Sequence, residues 1–277
     1  MNSLAQYVVV IRHGQTIPNL LVQHFTENHF YEVTGSDETV GLTELGFSQI
    51  KEAGFFLALL RSRVKVARLY CSQFFRTRSS AEVIQSILPG HPQIVEDPRI
   101  AKRHYGDFWN ITYSGVKALY PEEYEKFLRQ GGYFYRPPNG ENYADLKVRV
   151  NDYINEVIDG TRDSIAIATH SAVALVLEQL LLSEMTDAEL VQRYDAMSVS
   201  NASVVIYKRV AGGRLVFGRR IDFVGWLKRL LGMRHASWVR WASFTPPCAA
   251  TESSSSDNRC AQCTSPDSII DKEDRVA

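Results

Sequence analysis

Cysteine is scarce in this chain of 277 residues: there are four, Cys71 in a strand-like run and Cys248, Cys260 and Cys263 toward the C-terminus. So few cannot frame a disulfide-stapled fold, and the scarcity suits a reducing compartment. An excess of either charge is missing too, since Lys plus Arg and Asp plus Glu both number 31. The summed charge therefore offers no general attraction to nucleic acid, and phosphate binding would have to come from a local cluster. No run is long and uncharged enough to cross a bilayer. The start of the chain lacks the basic end, long apolar stretch and small-residue cleavage site of an export signal, so a cytoplasmic location is expected. Neither a dinucleotide-binding glycine pattern nor a P-loop is found. Cys260-Ala261-Gln262-Cys263 has the spacing of a metal-ligand pair, but it stands alone with no histidine close by.

What the chain does contain is 45% hydrophobic residues, enough for one substantial core. Runs at 7–11, 66–71 and 164–169 are short, β-branched or aromatic, and continuous enough for strands buried on both faces. A helical pattern follows each. Thr43 is placed to cap a helix carrying Ile50, Ala53, Leu57 and Leu60 on one face, and Ser72 to cap one carrying Ala81, Ile84 and Leu88. Residues 172–182 read as a buried helix and 203–208 as another strand, with Gly212-Gly213 as a hairpin turn before a further strand-like run. This order predicts an α/β fold, a mainly parallel sheet flanked by helices on both faces.

Residues 1–222 are expected to form the catalytic domain, with an insertion at about 111–142. Pro121 can open a helix there, ended by Gly131-Gly132. An insertion between core units reads either as a lid over a site or as packing on the sheet. Residues 223–244 read as an amphipathic helix with Lys228, Arg229, Arg234 and Arg240 on a basic run, suited to a peripheral membrane or protein contact or to docking on the core. Residues 245–277 carry the composition of a disordered tail.

His13 and His170 each stand just after a buried-type strand, and the carboxyl edge of a parallel sheet is where such folds place ligands. Two histidines far apart in sequence can therefore meet. Arg12 adjoins the first, and Arg76 falls near the start of a helix, where the dipole disfavours a cation unless an anion sits there too. Two guanidinium forks and one imidazolium make a receptor for a phosphoryl group, leaving His13 as a candidate nucleophile. Either histidine alone reads equally well as a structural hydrogen-bonding residue.

The ordered set resembles the histidine phosphatase superfamily, which includes cofactor-dependent phosphoglycerate mutases and broad-range acid phosphatases. It comprises Arg12-His13-Gly14-Gln15-Thr16 with Asn19, Leu42-Thr43-Glu44-Leu45-Gly46 with Gln49, Ser72 with Arg76-Thr77, Pro138-Asn139-Gly140-Glu141-Asn142 and Ala168-Thr169-His170. The resemblance implies a phosphoglycerate mutase-like fold, His13 as the residue that becomes phosphohistidine, and Arg12, Arg76 and His170 around the phosphate oxygens with help from Asn19. The order Tyr133-Phe134-Tyr135-Arg136-Pro137 is most similar to the acid phosphatase branch. Glu141, at a turn that family members use near the substrate, reads as fixing local geometry, as a substrate contact or as a solvent-facing turn carboxylate, and Ser171, which replaces a usual glycine, is a further candidate substrate contact.

Lys102 is the serious departure. It stands where the family carries the glutamate that donates a proton to the leaving group, and lysine near its ordinary pKa cannot readily act as base at neutral pH. Asp107 is the nearest substitute, with Asp97 and Glu82 weaker ones. The sequence thus predicts a phosphatase acting on small phosphate esters without cofactor or metal. The alternative is a weakened phosphoester-binding relative, and a mutase ranks below both. Nucleic acid is not an expected partner, and a homodimer is left open.

Overall fold

The computed structural model describes residues 6–19, 29–31 and 33–221. The basic segment expected at 223–244, the tail at 245–277 and the three C-terminal cysteines lie outside the described residues. Among those described, the strands are β1 (Tyr7–Arg12), β2 (Val66–Cys71), β3 (Gln93–Glu96), β4 (Ser164–Thr169), β5 (Val204–Arg209) and β6 (Leu215–Ile221). They form one sheet in the order β3-β2-β4-β1-β5-β6. Neighbours from β3 to β1 pair in parallel, β5 pairs antiparallel with β1, and β6 antiparallel with β5. The sheet is therefore mixed and mainly parallel.

The helices are α1 (Glu44–Leu59), α2 (Phe75–Ile87), α3 (Tyr113–Leu119), α4 (Pro121–Phe134), α5 (Tyr143–Tyr153), α6 (Ser171–Leu182) and α7 (Asp187–Asp195). Side chains alternate across a strand, and both faces of this sheet are covered. Val8, Val10, Ile165 and Ile167 pack with Leu146 and Val150 of α5 and Val173 and Leu177 of α6. Val9, Ile11, Ala166 and Ala168 pack on the other face with Ile50 and Leu57 of α1 and Ala81 and Ile84 of α2. Each fully buried aliphatic side chain of this kind stabilises the fold by roughly 1.5–3 kcal/mol. That two-sided burial is why the strands read as unbroken apolar runs.

Thr43 caps α1 as expected, its hydroxyl accepting from Gly46 N at 3.0 Å. Ser72 does not cap α2: that helix starts after Phe74, and the Ser72 side chain turns toward His170 instead. Gly131 breaks α4 where a helix end was expected: its φ of 74° and ψ of 158° are not helical, and a separate turn runs on through Phe134. The strand β3 was not anticipated, because its four residues, with polar ends, carry only Ile94 and Val95 as apolar signal.

Candidate active site

Parallel pairing of β1 with β4 sets Arg12 opposite Thr169, so the residues that follow, His13 and His170, emerge side by side at one sheet edge. Their ring centroids are 5.2 Å apart. The second nitrogens are held differently. His13 Nδ1 lies 2.7 Å from the Gly14 carbonyl oxygen, which can only accept, so Nδ1 donates and Nε2 keeps its lone pair. At His170 the count runs through three residues. Thr77 Oγ1 spends its hydrogen on the carbonyls of Phe74 (2.8 Å) or Ser72 (3.0 Å), so it accepts from Ser72 Oγ at 2.7 Å. Ser72 Oγ in turn accepts from His170 Nε2 at 2.9 Å. The Gly14 carbonyl thus leaves a lone pair on His13 Nε2, whereas Ser72 takes the Nε2–H of His170.

Burial lowers the pKa of both rings well below the ordinary histidine value, with Arg76, Arg12 and Lys102 all pushing the same way. Arg12 donates to the Val199 carbonyl, and burial pushes its pKa down to about 10. Arg76 donates to the Asp37 backbone oxygen at 2.6 Å and to Asp37 Oδ1 at 3.1 Å, and its guanidinium lies 4.6 Å from the Phe74 ring centroid. The anion that the helix dipole called for beside Arg76 is therefore present in the chain itself, as the Asp37 carboxylate.

Asn19 also faces the cavity. Its side-chain oxygen accepts from Thr16 N at 3.2 Å and from Asn201 Nδ2 at 3.0 Å, so only its amide N–H groups could serve a phosphate. Ser171 lines the wall at the first turn of α6, whose positive dipole end suits an anion. Gly14 lets the histidine loop touch the start of α1: a β-carbon on Gly14 would overlap the Gly46 carbonyl, and one on Gly46 would overlap the Gln15 carbonyl.

These groups open into a cavity of about 1020 Å³. Lys102, Arg103, Tyr105, Tyr113 and Tyr194 also line it. Lys102 forms an ion pair with Asp37 Oδ2, and its ammonium sits 5.0 Å from the Tyr105 ring centroid. Arg103 lies between the rings of Tyr105 (4.6 Å) and Tyr143 (4.4 Å), and the hydroxyls of Tyr105 and Tyr194 are 2.7 Å apart.

Two expected site residues lie elsewhere. Asp107 is exposed, and its carboxylate accepts from Asn139 Nδ2 at 3.0 Å and 3.2 Å; the short turn Gly106–Phe108 directs it onto the 137–140 turn instead of into the cavity. Glu141 is likewise outside the cavity lining and pairs with Arg149 at 2.8 Å. Burial works against its charge, but Arg149 and the His104 N–H hold the carboxyl below its ordinary pKa. Arg149 also donates to the carbonyls of Arg99 (2.7 Å) and Lys102 (2.9 Å), so Glu141 anchors the segment that carries Lys102. Asp97 is taken up by Arg99 at 2.6 Å, and Glu82 is exposed on α2. Of the insertion, Thr112, Tyr113 and Ser114 line the cavity. Tyr133 stacks on Tyr143, and the buried Tyr135 donates to Glu123 at 3.0 Å, so both pack within the fold.

Three functional residues escaped the sequence reading. Asp37 sits in a polar loop without periodicity, and Ser72 was read as a cap. Asn201, which donates to the His13 carbonyl at 3.2 Å, precedes β5 in an unpatterned turn.

Two histidines and two arginines thus gather in one cavity at the carboxyl edge of a mixed, mainly parallel sheet. The chain belongs to the histidine phosphatase superfamily (branch 1), whose family model matches residues 8–218. It is 27% identical over 150 residues to the fructose-2,6-bisphosphatase TIGAR of Xenopus laevis, a match covering 53% of this chain and 47% of that protein. It is 31% identical over 155 residues to a 2,3-bisphosphoglycerate-dependent phosphoglycerate mutase of Gloeobacter violaceus, covering 54% of this chain and 63% of that protein. The chain thus spans about half to two thirds of the length of these relatives. The α-ribazole phosphatase of Shigella flexneri shares the fold with a TM-score of 0.62 at 17% identity, over 78% of this chain and 96% of that one.

Proposed function

We propose that this protein is a phosphomonoesterase that transfers a phosphoryl group from a phosphate ester to His13 Nε2 and then to water. The observation that carries the reading is the pair of fixed histidine nitrogens. His13 Nδ1 is tied to the Gly14 carbonyl, which leaves Nε2 nucleophilic, beside a second ring held as a donor and two buried arginines. Arg12 and Arg76 hold the non-bridging oxygens, whose charge must be kept in place during transfer, and His170 joins them through Nδ1 as the imidazolium that a bound phosphate dianion favours, its Nε2–H being spent on Ser72. Asn19 and Ser171 assist at the same end. The named relatives act on phosphate esters of small metabolites, and the broad-range acid phosphatase branch is the one the insertion most resembles. The cavity exceeds what a small ester needs, and its tyrosine wall favours an aromatic leaving group.

A second reading has its own support. Asp37 already occupies two faces of Arg76, and Lys102 replaces the usual acid, which suits a protein that binds phosphoesters and turns them over slowly. Trapping decides between them. Wild-type protein given a labelled aryl phosphate and quenched in alkali should hold base-stable, acid-labile label at a stoichiometry approaching one, and His13→Ala none. Phosphate-analogue binding without any label would leave only the binding reading.

A further inference from the structure

We infer that Lys102, held by Asp37, is the group that gives a proton to the leaving group and takes one from water. The inference rests on the phosphatase reading above and names the acid and base that reading requires.

The cavity narrows the choice. Among the described residues, its acidic side chains are Asp37 and Asp195. Asp37 uses both oxygens as acceptors, Oδ1 from Arg76 and Oδ2 from Lys102, and so has no donor to offer a leaving group. Asp195, at the end of α7, lies by Tyr113 and Tyr143, on which it bears electrostatically. The hydroxyls of Tyr105 and Tyr194 are bound to each other, so only one of the two keeps a free proton, and that of Tyr113 donates to Tyr124 at 3.2 Å. Arginine does not give up its proton in proteins. Lys102 combines a transferable proton with a place beside the phosphate groups: it shares the Asp37 carboxylate with Arg76 and lines the same cavity as His13 and His170.

Its surroundings make a lysine workable here. Burial is the largest influence on its pKa and lowers it below the ordinary lysine value; Arg76 pushes the same way, while Asp37 and Tyr105 push it back up. His13 and His170, the other titratable groups facing it, are held neutral in the unliganded protein by their own burial. Burial thus makes the ammonium a stronger acid, while the ion pair with Asp37 favours its charged form.

The proton count closes over two steps. His13 Nε2 attacks phosphorus, the P–O bond to the leaving group breaks, and an N–H of the Lys102 ammonium passes its proton to the departing oxygen. An alcohol leaves and Lys102 remains as the amine. Water then attacks phosphorus, the P–N bond breaks with its electron pair returning to Nε2, and the amine takes the proton from water. Phosphate leaves, and Lys102 is again an ammonium.

This assignment sets the sign of the pH dependence. Attack on an alkyl ester requires the charged lysine, so kcat/KM falls as pH rises through the pKa of Lys102. Asp37 stabilises that charge, so Asp37→Asn should move the alkaline limb to lower pH. A carboxylic acid donor would place the loss in the acid range and leave it insensitive to Asp37.

The test compares nitrophenyl phosphate with a simple alkyl phosphate on wild type, Lys102→Met and Asp37→Asn, with phosphohistidine trapping in parallel. For Lys102→Met, alkyl phosphate turnover should fall by about 10²–10⁴-fold, the usual worth of general acid catalysis. The aryl ester, whose leaving group needs little protonation, should lose far less during phosphohistidine formation. For Asp37→Asn, the alkaline limb should shift downward by a measurable fraction of a pH unit or more. The Asp37→Asn profile keeps the idea falsifiable even if Lys102→Met fails to fold. Label on His13 together with an unchanged aryl-to-alkyl ratio in Lys102→Met, or an unmoved limb in Asp37→Asn, overturns the assignment and leaves the phosphatase reading standing. Absence of label on the wild type overturns both.

Discussion

The two ends of the cavity are built by different means. At the phosphate end, Arg12, His13 and His170 follow directly from β1 and β4, Arg76 sits in the first turn of α2, and backbone carbonyls or a serine fix the ring nitrogens. At the leaving-group end, Lys102, Arg103 and Tyr105 stand in an irregular segment pinned by Arg149, Glu141 and ring contacts. The first end rests on the hydrogen-bond ladder of a buried sheet, the second on ion pairs and aromatic faces. Chemistry common to every substrate is thus placed on the rigid part of the molecule. Features that would distinguish one ester from another fall on segments where sequence can change without disturbing the core.

The largest effect expected from this contrast is at Arg76. Arg76→Ala should lower kcat/KM by about 10²–10³-fold, the typical loss on removing one donor to a developing oxyanion. The loss should be equal for aryl and alkyl phosphates, because both present the same phosphoryl group. Steady-state kinetics on the two esters checks this, and a loss confined to one would erase the division between the ends.

A smaller effect is expected at Ser72, which touches His170 and is itself fully buried. Ser72→Ala leaves His170 Nε2–H without its acceptor, and an unsatisfied buried donor costs about 1–3 kcal/mol. Orthovanadate affinity should fall by roughly tenfold, again with no preference between leaving groups. Titration calorimetry measures the loss, and an unaltered affinity would show that His170 is oriented by packing against Phe74 alone.

The meeting of His13 and His170 was legible because a strand buried on both faces leaves a continuous apolar run, and the residues just beyond two such strands emerge at one sheet edge. Thr43 was legible for a local reason, a cap bonding three residues ahead. Asp37 was not, since its partners Arg76 and Lys102 are distant in sequence and no local rule connects them. Asp107 was misplaced for the converse reason. Nearness in sequence to Lys102 suggested a substitute acid, but the turn at Gly106–Phe108 sends the carboxylate to Asn139. Of the readings of Glu141, the one that fixes local geometry fits its bonds to Arg149 and the His104 N–H, whereas the substrate contact does not.

The smallest effect follows from that correction. Asp107→Asn should change turnover of either ester by less than about twofold and stability by no more than about 0.5 kcal/mol, as for an ordinary surface substitution. A large loss on alkyl phosphate would return Asp107 to the leaving-group end and displace Lys102 from it.

The contact of Gly14 with Gly46 carries a consequence for genetics. Each position excludes a side chain because the atom in the way is a main-chain carbonyl, Gly46 O in one case and Gln15 O in the other. A trimmed side chain elsewhere cannot clear a carbonyl oxygen, so second-site suppressors of a substitution at either codon should be absent from a selection. The two codons, one beside the histidine and one in a helix, would then behave as a single locus of intolerance.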